Sequence, residues 1–309
     1  MNEELNELDT LSLHVMNTDY FIGVPKGTLR DWKNPIEKWL QYVAKEWSRF
    51  QAGNELDRLN QLKQGEIIKL SPILYDCIKK ANDYYIQTQG LFSPYLKNQL
   101  EQHGYTESFP FSNSKKRQLL HTVNEQSPIL LLNNEFILKT GEQQIDLGGF
   151  AKGYVVEKIA QWLQHETAAE YGIIDGGGDM QFWSKCEKEW TIGIAHPYKE
   201  QEEISYIKLK NGAIATSNRV YRSWKQGEET KHHLLNGQTG EVAKTDIVQA
   251  TVVTNSLSDA EVIAKLCFLM REVELQCWLE KNGISCAQFI IEENDTKYWI
   301  KGGEKQYVH

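Results

Sequence analysis

Asp146-Leu-Gly-Gly-Phe-Ala-Lys-Gly-Tyr154 sets one carboxylate, one ammonium and three glycines into nine residues that read as a loop entering a helix. That grouping suits a phosphorylated ligand. Glycine lets backbone approach an anion closely, and the amides that open a helix offer donors and the positive end of its dipole. A Gly-rich turn packed on a helix is the competing reading, and the second glycine cluster, Ile174-Asp-Gly-Gly-Gly-Asp-Met180, favours the ligand. Neither cluster is a P-loop or a Rossmann GxGxxG, so both common nucleotide folds lose support.

Four further groups carry candidate chemistry. Thr216-Ser217-Asn218-Arg219 follows the strand-like Ala213-Ile-Ala215, where hydroxyls and a guanidinium could meet a phosphate; a turn with an exposed arginine is the plainer alternative. His232 and His233 precede a tight turn ending in Thr239-Gly240, and an imidazole titrating near physiological pH suits proton transfer. Without a third ligand at metal spacing the pair is poor material for zinc. Asp259, in the first turn of the last strong helix, either complements the dipole or acts as a hard oxygen ligand for Mg²⁺ beside a phosphate. Asp175 and Asp179 read as residues that orient their loop, ranking below Asp146 and Asp259.

The elements that must position these residues are legible from spacing. Asn34-Pro35 opens an amphipathic helix carrying Ile36, Trp39, Leu40, Val43 and Trp47, and Ser71-Pro72 opens another that Gly90 stops. Pro128 to Lys139 reads as a hairpin turning at Asn133-Asn134, and Ala151 to His165 as a helix. Short β-branched runs at Tyr171–Ile174, Trp190–Ala195, Ile204–Lys208 and Val248–Thr254 predict strands, and Ser258 is expected to cap a helix from Asp259 to Met270. The fold class expected is α/β (α+β mixed), mixed sheets flanked by helices. With no repeat or linker, residues 1–309 are expected to form one domain or two lobes.

Composition limits the partners. A formal charge of −8 argues against a broad nucleic-acid surface. Five cysteines without a CxxC pair argue against a disulfide framework. The acidic Met1–Thr10 stretch lacks a basic n-region and no apolar run is long enough to span a membrane, so a cytoplasmic protein with no membrane partner is expected.

The order of the motifs resembles the ApbE family of flavin transferases (FAD:protein FMN transferases) over nearly the whole chain. The matching pieces are Met16-Asn-Thr18, Trp47-Ser-Arg-Phe50 with Asn54 to Asn60, Gly90-Leu-Phe-Ser-Pro94 and Asp146 to Tyr154. Asp175 to Asp179, Trp190 to Ile194 before Pro197, Ala215-Thr-Ser217, His233 to Gly240 and Ser258-Asp-Ala260 continue the series. The resemblance implies an enzyme that binds FAD with Mg²⁺ at its pyrophosphate and passes FMN to a Ser or Thr hydroxyl of a flavinylated client protein, releasing AMP. It implies that Met16, Phe50, Leu91, Phe92, Ser93, Asp146, Lys152, Thr216, Ser217 and Leu235 line the nucleotide. The metal would lie at the Gly149 carbonyl and Asp259, with His233 and Asp146 catalytic.

Four motifs depart from the family pattern. Ile263 stands where a Thr or Ser ligand follows the helix aspartate, Ser93 replaces an aspartate, Asn236-Gly237 replaces Asp-Pro, and Asn218 replaces a glycine. A flavin-binding relative that has lost turnover, and a hydrolase that cuts FAD to FMN and AMP, are therefore the alternative expectations.

Overall fold

A proline at the first helical position lacks only an amide that the helix would leave unpaired anyway. Behind the Ser71 cap, whose hydroxyl accepts from the Leu74 amide, Pro72–Gln87 forms the helix its sequence predicts. It stops where Gln89 and Gly90 turn to positive φ. This computed structural model describes residues 7–28, 31–111 and 126–308, so most of the acidic N-terminal stretch lies outside the described residues. The chain divides into two compact units, one from the described parts of Met1–Gln41, Lys152–Tyr221 and Asp246–His309, the other from Tyr42–Ala151 and Arg222–Thr245.

The first unit is built on a nine-stranded sheet. Its order is Leu8–Val15, Thr18–Pro25, Tyr171–Gly176, Met180–Ser184, Gly212–Asn218, Ile247–Thr254, Ala287–Glu292, Lys297–Lys301 and Glu304–Val308. Every neighbouring pair is antiparallel. The expected combination of helices and sheets is therefore present, and the mixing lies between element types and not within a sheet. Helix Leu257–Leu269 packs on Gly212–Asn218 and Ile247–Thr254, with Val262, Ile263, Ala264 and Leu266 fully buried. Ile214, Phe289 and Ile291 pack instead on Trp190, Ile192 and Ile194 of a hairpin formed by Trp190–His196 and Lys199–Leu209. Ile247–Thr254 is covered on both sides, with six of its eight residues buried, Gln249 and Thr251 among them.

Helices Glu55–Asn60, Pro72–Gln87 and Lys97–Gln102 make up the second unit, with a three-stranded sheet in the order Ile67–Lys69, Phe136–Lys139, Ile129–Leu131. The expected hairpin at Asn133-Asn134 is there, with Asn134 and Glu135 at positive φ. A two-stranded ribbon, Ser223–Gln226 with Glu229–His232, completes it. Helices Lys33–Glu46 and Ala151–Glu166 carry the chain from one unit to the other.

Two details differ from expectation. Helix Leu257–Leu269 is capped by Ser256, whose hydroxyl accepts from the Asp259 amide, while Ser258 is fully buried in the first turn. The hairpin Leu8–Val15/Thr18–Pro25 was not foreseen, because its two-residue turn is Met16-Asn17 and not Asn-Gly; both residues nonetheless sit at positive φ, 54° and 57°.

Candidate functional site

The residues singled out from the sequence fall into two groups, one in each unit. In the first unit, the Met16-Asn17 turn is linked to the second glycine cluster through Tyr20, which pairs with Gly176 across the sheet and donates its hydroxyl to Met16 Sδ at 3.5 Å. Burial, followed by the fields of Asp179, Glu261 and Asp175, pushes the Tyr20 phenol far above its usual range. Lys152 Nζ lies 3.0 Å from Asp179 Oδ2 in a pair whose side chains are 12% and 8% exposed. Asp179 thus does more than orient its loop: it holds the ammonium expected to meet the nucleotide. Asp175 Oδ1 accepts from the Gly178 amide at 2.6 Å, and burial raises its carboxyl above the usual range.

Asp259 is half-buried in the first turn of Leu257–Leu269, and Ile263 one turn on is fully buried. Among the described residues no cluster of three or more His, Cys, Asp or Glu side chains could hold a metal. A single helix-start carboxylate fits Mg²⁺ only as the protein's share of an ion that a phosphate ligand also binds, a common arrangement for this cation. Thr216 is exposed on its strand, with Oγ1 2.9 Å from Thr251 Oγ1, and Ser217 is buried.

The amides at the opening of Ala151–Glu166 do not form the open cradle read from the sequence. The Gly148 amide donates to Asp146 Oδ1, those of Phe150 and Ala151 donate to the Leu147 carbonyl, and that of Gly153 donates to Glu261. A helix end inside a fold has its donors satisfied locally wherever an acceptor is in reach. A Cβ at 153 would stand 2.4 Å from Glu261 Oε2, so any larger residue there must displace that carboxylate.

In the second unit, Asp146 is held on both sides. Arg49 Nη1 lies 2.5 Å from its Oδ2, both side chains being 8% exposed, as a charge contact without an aligned hydrogen bond. The Arg49 guanidinium in turn lies 4.6 Å from the ring of Phe50 and 4.2 Å from that of Tyr105, between two aromatic faces. Phe50 is 42% exposed and so has surface left for a ligand. The Asp146 amide donates to the Pro94 carbonyl, which sets Asp146 against the Gly90–Pro94 loop.

That loop receives the turn after His233. Gly237 donates to the Leu91 carbonyl at 2.9 Å, and a Cβ at 237 would come within 2.1 Å of the Gly90 carbonyl oxygen. Asn236 Oδ1 accepts from the Gln238 and Thr239 amides, closing the turn. Leu91 and Ser93 are half-buried, and the Ser93 hydroxyl accepts from the Tyr95 amide. Phe92 and Leu235 are core residues: Phe92 packs on Tyr84 and Phe150, Leu235 on Leu96 and Leu100. Both shape the site from behind. His233 is half-buried with Nδ1 3.4 Å from the Arg222 carbonyl, whereas His232 is buried and accepts from the Leu234 amide. Gly149 is half-buried in the turn entering the helix.

Arg49, Glu157 and Glu261 were missed in the sequence. Arg49 was inside a matched motif but carried no weight there. Glu261 had a signal, being a charge one turn before Lys265 in a helix whose other residues after Asp259 are apolar, and so in need of a partner.

The chain belongs to the ApbE family, whose model matches residues 16–288. A curated relative from Vibrio cholerae serotype O1, named FAD:protein FMN transferase, is 22% identical over 88% of this chain and 83% of its own. One from Chlamydia muridarum with the same name is 24% identical over 82% and 79%. Against relatives from Treponema pallidum and Klebsiella pneumoniae the match spans only 38% of their length. The solved ApbE protein of Thermotoga maritima superposes with a TM-score of 0.78 at 21% identity, covering 98% of this chain and 97% of its own. The flavin transferase ApbE of Vibrio cholerae gives 0.74 at 21% over the same shares. At these identities the likeness is one of fold.

Proposed function

We propose that this protein is an FAD:protein FMN transferase. The acceptor is a Ser or Thr hydroxyl of a client protein, and the hydroxyl oxygen attacks the FMN phosphorus. The bond from that phosphorus to the AMP oxygen breaks, AMP leaves, and the hydroxyl proton passes to His233. Lys152 and Asp259 of the first unit would serve the diphosphate, Asp259 as a ligand to Mg²⁺, which when bound neutralises charge developing on the phosphate oxygens. Each unit would offer nucleotide-binding residues of its own: Met16, Thr216 and Ser217 in the first, and Phe50, Leu91, Phe92, Ser93, Asp146 and Leu235 in the second, where the Gly149 carbonyl is a candidate metal ligand. With both carboxylate oxygens engaged, Asp146 acts as a rigid anchor and leaves proton transfer to His233.

The observation that carries this reading is the docking of the His233–Gly240 turn on the Gly90–Pro94 loop beside the Arg49–Asp146 pair, in a chain of this family. A second reading, a flavin-binding protein without turnover, is favoured by one observation: the fully buried Ile263 offers no oxygen one turn from Asp259. Incubation with FAD, Mg²⁺ and a Thr-bearing client peptide decides between them. Transfer gives a client heavier by one FMN less water, together with AMP. Bound FAD with no mass gain and no AMP establishes the second reading, and AMP with free FMN but no adduct shows hydrolysis.

A further inference from the structure

Two helix starts in the first unit cap each other. Glu157, in the second turn of Ala151–Glu166, reaches the start of Leu257–Leu269, where its Oε2 accepts from the Ser258 amide at 3.0 Å, the Ser258 hydroxyl at 2.7 Å and the Ser256 hydroxyl at 3.2 Å. Ser256 Oγ in turn accepts from the Asp259 amide at 3.3 Å, so Glu157 orients the very cap that holds Asp259. In the opposite direction, Glu261 in the second turn of Leu257–Leu269 accepts from the Gly153 amide at 3.1 Å, beside Lys152. Glu261 is 3% exposed, its other oxygen lies 3.4 Å from Lys265 Nζ, and burial raises its carboxyl above the usual range. A cap made by its own helix would stabilise each terminus equally well. Caps exchanged between helices do something more: they tie the position of one terminus to that of the other.

We infer that Glu157 and Glu261 are positioning residues, a reciprocal lock that fixes the register of the two helix starts and with it the placement of Lys152 and Asp259. Glu157 Oε2 and Glu261 Oε2 are taken up by these caps, so both residues act through the groups they hold. The assignment of Lys152 and Asp259 to the diphosphate and its metal rests on the proposed function; the lock itself does not.

The test uses the full chain and two readouts. In Glu157→Leu, amide hydrogen exchange at Gly153, which Glu157 does not touch, is expected to quicken at least tenfold along with that at Ser258, and the Mg²⁺ giving half-maximal AMP release to rise at least tenfold. Glu157→Gln, which keeps an accepting oxygen, returns both to within threefold of the parent. A cap with only a local structural role would speed exchange at Ser258 alone and leave the half-saturating Mg²⁺ of the folded protein unchanged; that pattern overturns the lock. Because Glu261→Leu risks misfolding, Gly153→Ala is the partner variant, displacing the Glu261 carboxylate without removing its charge. Tenfold faster exchange at Ser258 is expected there, and a rate within twofold of the parent also overturns the proposal. If the parent releases no AMP, the proposed reaction fails, while the exchange coupling still decides the lock.

Discussion

Arg49 neutralises Asp146 inside a site where neither side chain has much water left, so the intact pair adds little stability while removal of one partner costs much. Arg49→Ala is expected to cost about 3 kcal/mol of stability, since it leaves a buried carboxylate alone. It should also weaken FAD binding about tenfold, because the Phe50 ring loses the guanidinium that backs it; urea melts and flavin-fluorescence titrations measure the two effects. At Asp259, replacement by Asn should abolish Mg²⁺ stimulation of AMP release with little change in melting temperature, as the side chain is half-buried at a helix start. Full stimulation in that variant would locate the metal elsewhere. Ile263→Thr should lower the half-saturating Mg²⁺ while costing about 2–3 kcal/mol, because it exchanges a buried ethyl group for a hydroxyl.

Lys139 lies at the end of a strand, buried to 2% exposure with its ammonium on the Gln143 carbonyl, and burial lowers its pKa to about 8 from an ordinary 10.5. A folded-state pKa below the unfolded one means that the unfolded chain binds more protons between those values. Its contribution to stability is therefore present above pH 10.5 and is lost as pH falls to about 8. Lys139→Met should stabilise the protein below pH 8 by on the order of 1 kcal/mol, the gain being reduced by the hydrogen bond lost to Gln143.

Among elements, local signals gave the right answer in three places: Ser71-Pro72, the Asn133-Asn134 turn and the β-branched run at Val248–Thr254 all appear where their chemistry puts them. What sequence left dark depends on partners far along the chain. Strand Leu8–Val15 is half-exposed with a turn lacking glycine, and its place is set by pairing that begins with Thr18–Pro25 and continues to residues 171–176. Of the candidate site, the residue types were legible in the motifs, whereas the salt-bridge partners Arg49 and Asp179 became visible only when Asp146 and Lys152 had neighbours. The Asn236-Gly237 step shows how a departure from pattern is absorbed. Gly237 donates an amide that a proline would lack, and no side chain fits beside the Gly90 carbonyl. Gly237→Ala should therefore undock the His233–Gly240 turn at a cost of about 2–3 kcal/mol and reduce turnover at least tenfold, read by calorimetry and AMP release.

At the scale of the molecule, the two units carry buried groups of opposite pH response. In the first, Asp175 and Glu261 have carboxyls raised by burial. A folded-state pKa above the unfolded one gives stability that is complete below the unfolded value and is lost as pH rises through the folded value. The second unit, through Lys139, gains stability as pH rises from about 8 to 10.5. Hydrogen exchange resolved by segment should show the sheet of the first unit losing protection between acid and neutral pH, and strand Phe136–Lys139 gaining protection in alkali after correction for intrinsic rates. Parallel changes in the two would refute this division.

Among the described residues the large sheet is open, and its last strand, Glu304–Val308, pairs on one side only, with Lys297–Lys301. Four of its five residues face solvent, and Lys305 is tethered 2.8 Å from Glu272 and over the Tyr298 ring. A strand arriving from another molecule would have to strip water from Glu304 and prise Lys305 from its tether, so this open rim is a poor seed for filaments even at high concentration.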